Sequence, residues 1–197
     1  MDERLLLRRA TEADTAFIAE MLAEAASWER PPGEPPSAVA DLLAVTQVAD
    51  YFEGWGRSGD DGVIAEVDGK PAGACWYRRF TAERPGYGFL GEEIPGLGLG
   101  VAPAHRRRGR GSTLLAATVD LARENGVGAL GLSVSERNAT ARRLYARAGF
   151  VVVGREGDSL TMRLDLRGPA TAEEARTTKK SHPLLKDETS DGQPLSE

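Results

Sequence analysis

The sequence predicts an α/β protein, a mixed sheet with helices packed on it. Three observations point there. Short apolar runs alternate with segments whose apolar residues recur at helical spacing. Glycine, asparagine and aspartate punctuate the joins between them. The runs follow the order β, α, α, a hairpin with a third strand, then α, β, α, β, β, which layers helices on a sheet.

Leu5-Leu6-Leu7-Arg8 reads as a first strand. Thr11, with Asp14 three residues on, resembles a capping box. Phe17, Ile18, Met21, Leu22 and Ala25 follow at helical spacing, so an amphipathic helix is expected from Thr11 to about Ala26. The proline-rich stretch from Glu29 to Pro36 excludes regular structure. Ser37 caps an expected second helix through Leu42, Leu43 and Val45, and Gly54 to Gly62 reads as a loop. Asp68-Gly69 between Val63–Val67 and the run from Ala72 to about Phe80 signals a hairpin. A glycine-rich loop from Arg84 to Gly91 leads to a strand near Leu97–Val101. Ser112 to Glu124 carries Leu114, Leu115, Val119 and Leu121 and stops at Asn125-Gly126, a helix ending. Ala129–Val134 reads as a buried strand. Asn138 to Ala148 reads as a helix with Ala141, Leu144, Tyr145 and Ala148 on one face, stopped by Gly149. Phe150–Val153 and Leu160–Leu166 are the last strands. Residues 1–167 are expected to form one domain. Residues 168–197 are polar, with too little apolar content to offset ordering entropy, and are expected to be a disordered tail.

Composition narrows the function. The chain has 197 residues, 41% of them hydrophobic, enough for a core. No apolar run approaches about 18 residues, so no membrane span is expected. The polar start Met1-Asp2-Glu3-Arg4 lacks a secretion signal, and the expected location is cytoplasmic. The one cysteine, Cys75, makes no internal disulfide and offers no metal framework. It lies between Ala74 and Trp76 and reads as a buried structural thiol rather than a nucleophile. A net charge of −5 disfavours general nucleic-acid binding, which needs a basic face.

One basic segment stands apart: Val101-Ala102-Pro103-Ala104-His105-Arg106-Arg107-Arg108-Gly109-Arg110-Gly111-Ser112. It joins a strand to a helix, and glycines open that helix. Glycine lets a ligand approach the backbone closely. The first N–H groups of a helix lack internal partners, and the dipole favours an anion there. The chemistry fits a pyrophosphate. No lysine follows Gly111, so this is not a P-loop. The spacing is not the dinucleotide fingerprint either.

The run Arg106-x-x-Gly109-x-Gly111 resembles the acyl-CoA loop of the GNAT superfamily of N-acetyltransferases, Gln/Arg-x-x-Gly-x-Gly/Ala. Leu132-Ser133-Val134 followed by Asn138, Ala141, Leu144-Tyr145 and Gly149-Phe150 resembles that family's Asn-x-x-Ala-x-x-Leu-Tyr-x-x-x-Gly-Phe segment. Leu7-Arg8-Arg9-Ala10-Thr11-Glu12-Ala13-Asp14 resembles its common opening. The likeness runs in element order from about residue 4 to 166. It implies a mostly antiparallel central sheet with flanking helices and acetyl-CoA as co-substrate. Amides around Arg107 to Ser112 would hold the pyrophosphate, and Arg106, Arg107, Arg108 and Arg110 would neutralise its charge. Leu99, Gly100 and Val101 would line the pantetheine like an added strand, with Leu132–Val134 splayed away. Asn138 would contact the pantetheine, and Tyr145 would protonate the departing thiolate.

An ammonium must lose a proton before it attacks a thioester, so a general base is needed. Many relatives carry Pro-Glu-Leu at the strand start, where this chain reads Pro95-Gly96-Leu97. Glu93 is the favoured base, ahead of Glu92, because it borders Ile94 and the strand. The N–H of Leu99 or Val101 would polarise the carbonyl. Trp28, Tyr51, Phe52, Trp55, Tyr87 and Phe89 would wall the acceptor site or serve as satellite core. His105 is expected to be exposed. The implied function is acetyl transfer from acetyl-CoA to a small-molecule or peptide amine, in a ternary complex, with a homodimer plausible from the resemblance. A non-catalytic acyl-CoA sensor on the same fold is the alternative, favoured by Gly96. A nucleic-acid binder using Arg106–Arg110 is the third and weakest reading.

Overall fold

The computed structural model describes residues 3–31, 34 and 38–167, all within the compact unit Met1–Arg167. The expected tail at 168–197 and the expected cap Ser37 lie outside the described residues.

Seven strands form one sheet: β1 Leu5–Arg9, β2 Asp61–Val67, β3 Lys70–Arg78, β4 Gly96–Val101, β5 Ala129–Ser135, β6 Val151–Glu156 and β7 Ser159–Asp165. They stand in the order β1-β2-β3-β4-β5-β7-β6, and every neighbouring pair is antiparallel except β4 with β5. The helices are α1 Thr15–Ala26, α2 Val39–Leu43, α3 Thr46–Ala49, α4 Arg110–Glu124 and α5 Ala139–Arg147. The mixed, mostly antiparallel architecture is the one expected. Among the described residues, no helix is long and apolar enough to cross a membrane.

Local chemistry explains the joins. The Asp14 carboxylate accepts from the Thr11 N–H at 2.8 Å and its hydroxyl at 3.0 Å, while Arg8 clasps the same carboxylate. The chain enters α1 through a short 3-10 turn at Glu12–Asp14. Asp68 and Gly69 both take positive φ, 51° and 78°, as a hairpin turn matched to strand twist requires. Along β2 and β3, alternate residues serve opposite faces. Val63, Ala65, Cys75 and Tyr77 join Leu114, Leu115 and Val119 of α4 in one core. Ile64, Ala74 and Trp76 join Ile18 and Met21 of α1, with Phe52 and Trp55, in the other.

The loop from Asp50 to Asp60 is organised by Arg78, buried in β3. Its guanidinium pairs with Asp60 and donates to the carbonyls of Asp50, Glu53 and Gly54 at 2.7, 2.8 and 3.0 Å. On β4, a side chain at Gly100 would collide with the Met21 carbonyl, so glycine lets α1 press onto that strand. The strand at the centre of the sheet is thus held from below by α1 and from above by α4.

Candidate active site

The sheet opens where its only parallel pair sits. β4 and β5 share one registered pair, Gly96 with Gly131, and the Gly131 N–H donates to the Pro95 carbonyl at 2.9 Å. Beyond it the strands part, and a cavity of about 1010 Å³ extends between them. Its walls include Leu97 to Val101 of β4 and Ser133 to Ser135 of β5. Backbone groups alternate direction along a strand. Leu99 and Val101 therefore turn their N–H and C=O to the same side as Pro95, into the opening. Arg106 Nε already occupies the Val101 carbonyl, and the rest of this edge faces the cavity.

At the mouth lies the loop between β4 and α4. Gly109 is the N-cap of α4 with φ 77°, and Arg107 is also left-handed at φ 58°. At Gly109 the conformation demands glycine, although an added Cβ would meet nothing. At Gly111 an added Cβ would make only ordinary contacts of 3.7 to 3.9 Å. The Ser112 and Thr113 N–H groups bond the Gly109 carbonyl. The N–H groups of residues 107–111 find no acceptor among the described residues. A run of unpaired donors at a helix start is an anion site in waiting.

The arginines behave differently from the expectation. Arg106 donates to the Val101 carbonyl at 2.9 Å and to Glu24 Oε2 at 2.5 Å. Arg108 binds Glu3 Oε1 at 2.5 Å, and Arg110 pairs with the other oxygen of Glu3. Arg107 alone of the four has no partner among the described residues. Glu3 and Glu24 are thus built into the site, and the sequence reading missed both. Those two arginine contacts, Arg108 first, hold the Glu3 carboxyl below its ordinary pKa.

Tyr145 lies on α5, 8% exposed, on the cavity wall, its ring 5.7 Å from that of Phe150. Burial raises its pKa, so the phenol stays protonated at neutral pH. Its hydroxyl makes no hydrogen bond among the described residues. Asn138 caps α5: its Oδ1 accepts from the Ala141 N–H at 3.0 Å, and the residue lines the cavity. The cap orients the amide and leaves its NH₂ for a ligand.

Glu93 is not brought to this assembly. Its carboxylate is 91% exposed, pairs with Arg79 at 3.5 Å and is absent from the cavity wall. Glu92 is exposed and caps the Ala82 N–H at 3.0 Å. The glycine at 96 has a steric cause: a Cβ there would lie 2.7 Å from the Phe80 ring. That ring packs on Tyr51 at 4.7 Å, and Tyr51 stacks on Tyr87 at 6.4 Å. Tyr51, Tyr87 and Trp28 line the cavity, whereas Phe52 and Trp55 are core. His105 is half-buried on the cavity wall, not exposed, and its Nδ1 is buried without a partner. Cys75 is fully buried, and burial pushes its thiol up to about 12, so it is inert.

A splayed parallel strand pair, a helix start with unpaired N–H groups and a buried phenol share one cavity. Residues 19–150 match the Acetyltransferase (GNAT) family, and the chain belongs to that family. It is similar to streptothricin acetyltransferase of Streptomyces lavendulae, 29% identical over 157 residues, 71% of this chain and 70% of that one. It is also similar to mycothiol acetyltransferase of Acidimicrobium ferrooxidans, 36% identical over 110 residues, 56% of this chain, and spans only 32% of that protein. An acetyltransferase structure from Salmonella typhimurium with its cofactor acetyl-CoA superposes with TM-score 0.62 at 24% identity, covering 85% of this chain and 97% of that one.

Proposed function

We propose that this acetyltransferase moves an acetyl group from acetyl-CoA to a primary amine by direct attack in a ternary complex. The observation that carries the reading is the parting of β4 from β5 beside unpaired N–H groups 107–111. The pyrophosphate meets those amides. The pantetheine runs along Leu99, Gly100 and Val101, where Leu99 and the Val101 N–H offer a strand edge, and Asn138 gives it a further donor. The thioester carbonyl then lies near the Leu99 or Val101 N–H, which stabilises the oxyanion. The neutral amine nitrogen attacks, the C–S bond breaks, the thiolate takes the proton of Tyr145, and the proton that the new amide nitrogen sheds returns through water to the phenolate. A phenol held neutral by burial suits that step.

Deprotonation of the ammonium is assigned to water in the open cleft. Glu93 can take the proton only through a water relay, given its exposure. Tyr51 and Tyr87, stacked on each other, form an aromatic end suited to an amine with a flat or cationic body. The exposed edge strand β6, with Val151, Val152 and Val153 at the surface, supports a homodimer, which light scattering reads.

The test is acetyl-CoA-dependent thiol release over an amine panel that begins with streptothricin, the acceptor in the name of a relative. Release with one amine, lost in Tyr145→Phe, supports the reading. Tight CoA binding with no release across the panel supports the sensor instead.

A further inference from the structure

The loop that offers the N–H groups is costly to hold. Arg107 sits in the left-handed region, which disfavours any residue with a Cβ and persists only where the surroundings over-determine it. Three further arginines crowd the same turn, and like charges push it apart. Something must hold it closed.

Two carboxylates from outside the loop do so, one on each flank. Glu24 belongs to α1, which Gly100 allows to press on β4, and its side chain is only 9% exposed. It binds Arg106 at 2.5 Å and Arg30 at 3.0 Å. Arg106 also ties back to the Val101 carbonyl, so Glu24 anchors the loop at its first residue. Glu3 precedes β1 and grips Arg108 and Arg110, the residues on either side of the N-cap Gly109. Arg110 is itself buried, so its charge needs that partner.

We infer that Glu24, seconded by Glu3, is a positioning residue for acyl-CoA, acting through the arginines to keep the backbone donors 107–111 in binding shape. This rests on the acyl-CoA reading above. It assigns the arginine side chains a task other than neutralising phosphate. The two assignments differ in sign. If the arginines meet phosphate directly, Glu24 and Glu3 compete with the ligand, and removing them tightens binding. If they brace the loop, removing them weakens binding.

Calorimetric titration of CoA into wild type, Glu24→Gln and Glu3→Gln decides it, with steady-state kinetics for both substrates. Bracing predicts a CoA Kd raised about tenfold in Glu24→Gln and about threefold in Glu3→Gln, within the range of couplings between contacting groups. The KM for acetyl-CoA follows, while kcat at saturation and the KM for the amine stay within about twofold. In a double-mutant cycle, Glu24→Gln adds nothing further once Arg106→Gln is present. Equal or tighter CoA binding by the variants overturns the inference. So does a loss confined to kcat or to the folded fraction with Kd unchanged. Glu3 is partly exposed and glutamine keeps an oxygen for the buried Arg110, so Glu3→Gln carries the sign test should Glu24→Gln fail to fold. A wild type that binds no CoA refutes the acyl-CoA reading itself, a distinct failure.

Discussion

The two ends of β4 serve one cavity but are built in opposite ways. At its C-terminal end the site is backbone: a left-handed N-cap, a left-handed Arg107 and a row of unpaired N–H groups. At its N-terminal end the site is side chain: Phe80 against Gly96, Tyr51 on Phe80, and Tyr87 on Tyr51. Backbone sites need particular residues at fixed spacing and so leave a motif. Side-chain sites gather from segments far apart in the chain and leave none. The donor end is therefore legible as a class of ligand, whereas the aromatic end, to which the proposed function assigns the amine, is not.

The largest effect should fall between the two ends. Tyr145→Phe should lower kcat about a hundredfold or more, as loss of a general acid does, with CoA affinity unchanged. An unchanged kcat would move the proton donor elsewhere. At the donor end, Gly109→Val should weaken CoA binding about tenfold or more, because a β-branched residue at φ 77° reshapes the N-cap. An intact Kd would break the claim that backbone geometry makes that end.

Away from both ends, the Asp14 cap is a control. Its carboxyl is held down, to about 2 from 3.8, by Arg8 first, against the cost of burial. A depressed pKa gives stability that is present above the unfolded value and lost as pH falls through the folded one. Between about pH 4 and pH 2 the wild type should lose about 2 kcal/mol that Asp14→Asn never has. Urea titrations at several pH values read this, and parallel curves would refute the cap's role. The smallest effect belongs to Glu93→Gln, whose kcat should stay within about twofold. A fall of about a hundredfold would return Glu93 to the chemistry as a direct base.

Helical and strand spacing recovered the element order because each core face repeats with the period of its element. The exception is the single helix expected through Leu42, Leu43 and Val45, which is two short ones, α2 Val39–Leu43 and α3 Thr46–Ala49, parted at Val45. The starts of α4 and β3 fell two residues earlier than expected, a normal fraying of boundaries read from pattern. Tyr145, Asn138, Gly109 and Gly111 were legible because they sit inside motifs with local geometry. Glu93 was chosen by nearness in sequence to the strand, and proximity in sequence says nothing about which way a loop side chain turns. Glu24 left a faint mark. It follows Ile18 and Met21 at intervals of three, so an acid falls on the buried stripe of an amphipathic helix, where it needs a partner. Glu3 left none, since its partners lie more than a hundred positions away.

Thermal unfolding with acetyl-CoA, with CoA and with ATP tests the central claim most directly. At a hundred times its dissociation constant a ligand stabilises by about 2.7 kcal/mol, a rise of about 5 to 10 °C for a domain of this size. Both CoA compounds should produce that rise in the wild type, ATP should produce little, and Gly109→Val should rise by about half as much or less at the same concentrations. No rise with either CoA compound would contradict the account, since the cleft would then bind no acyl donor.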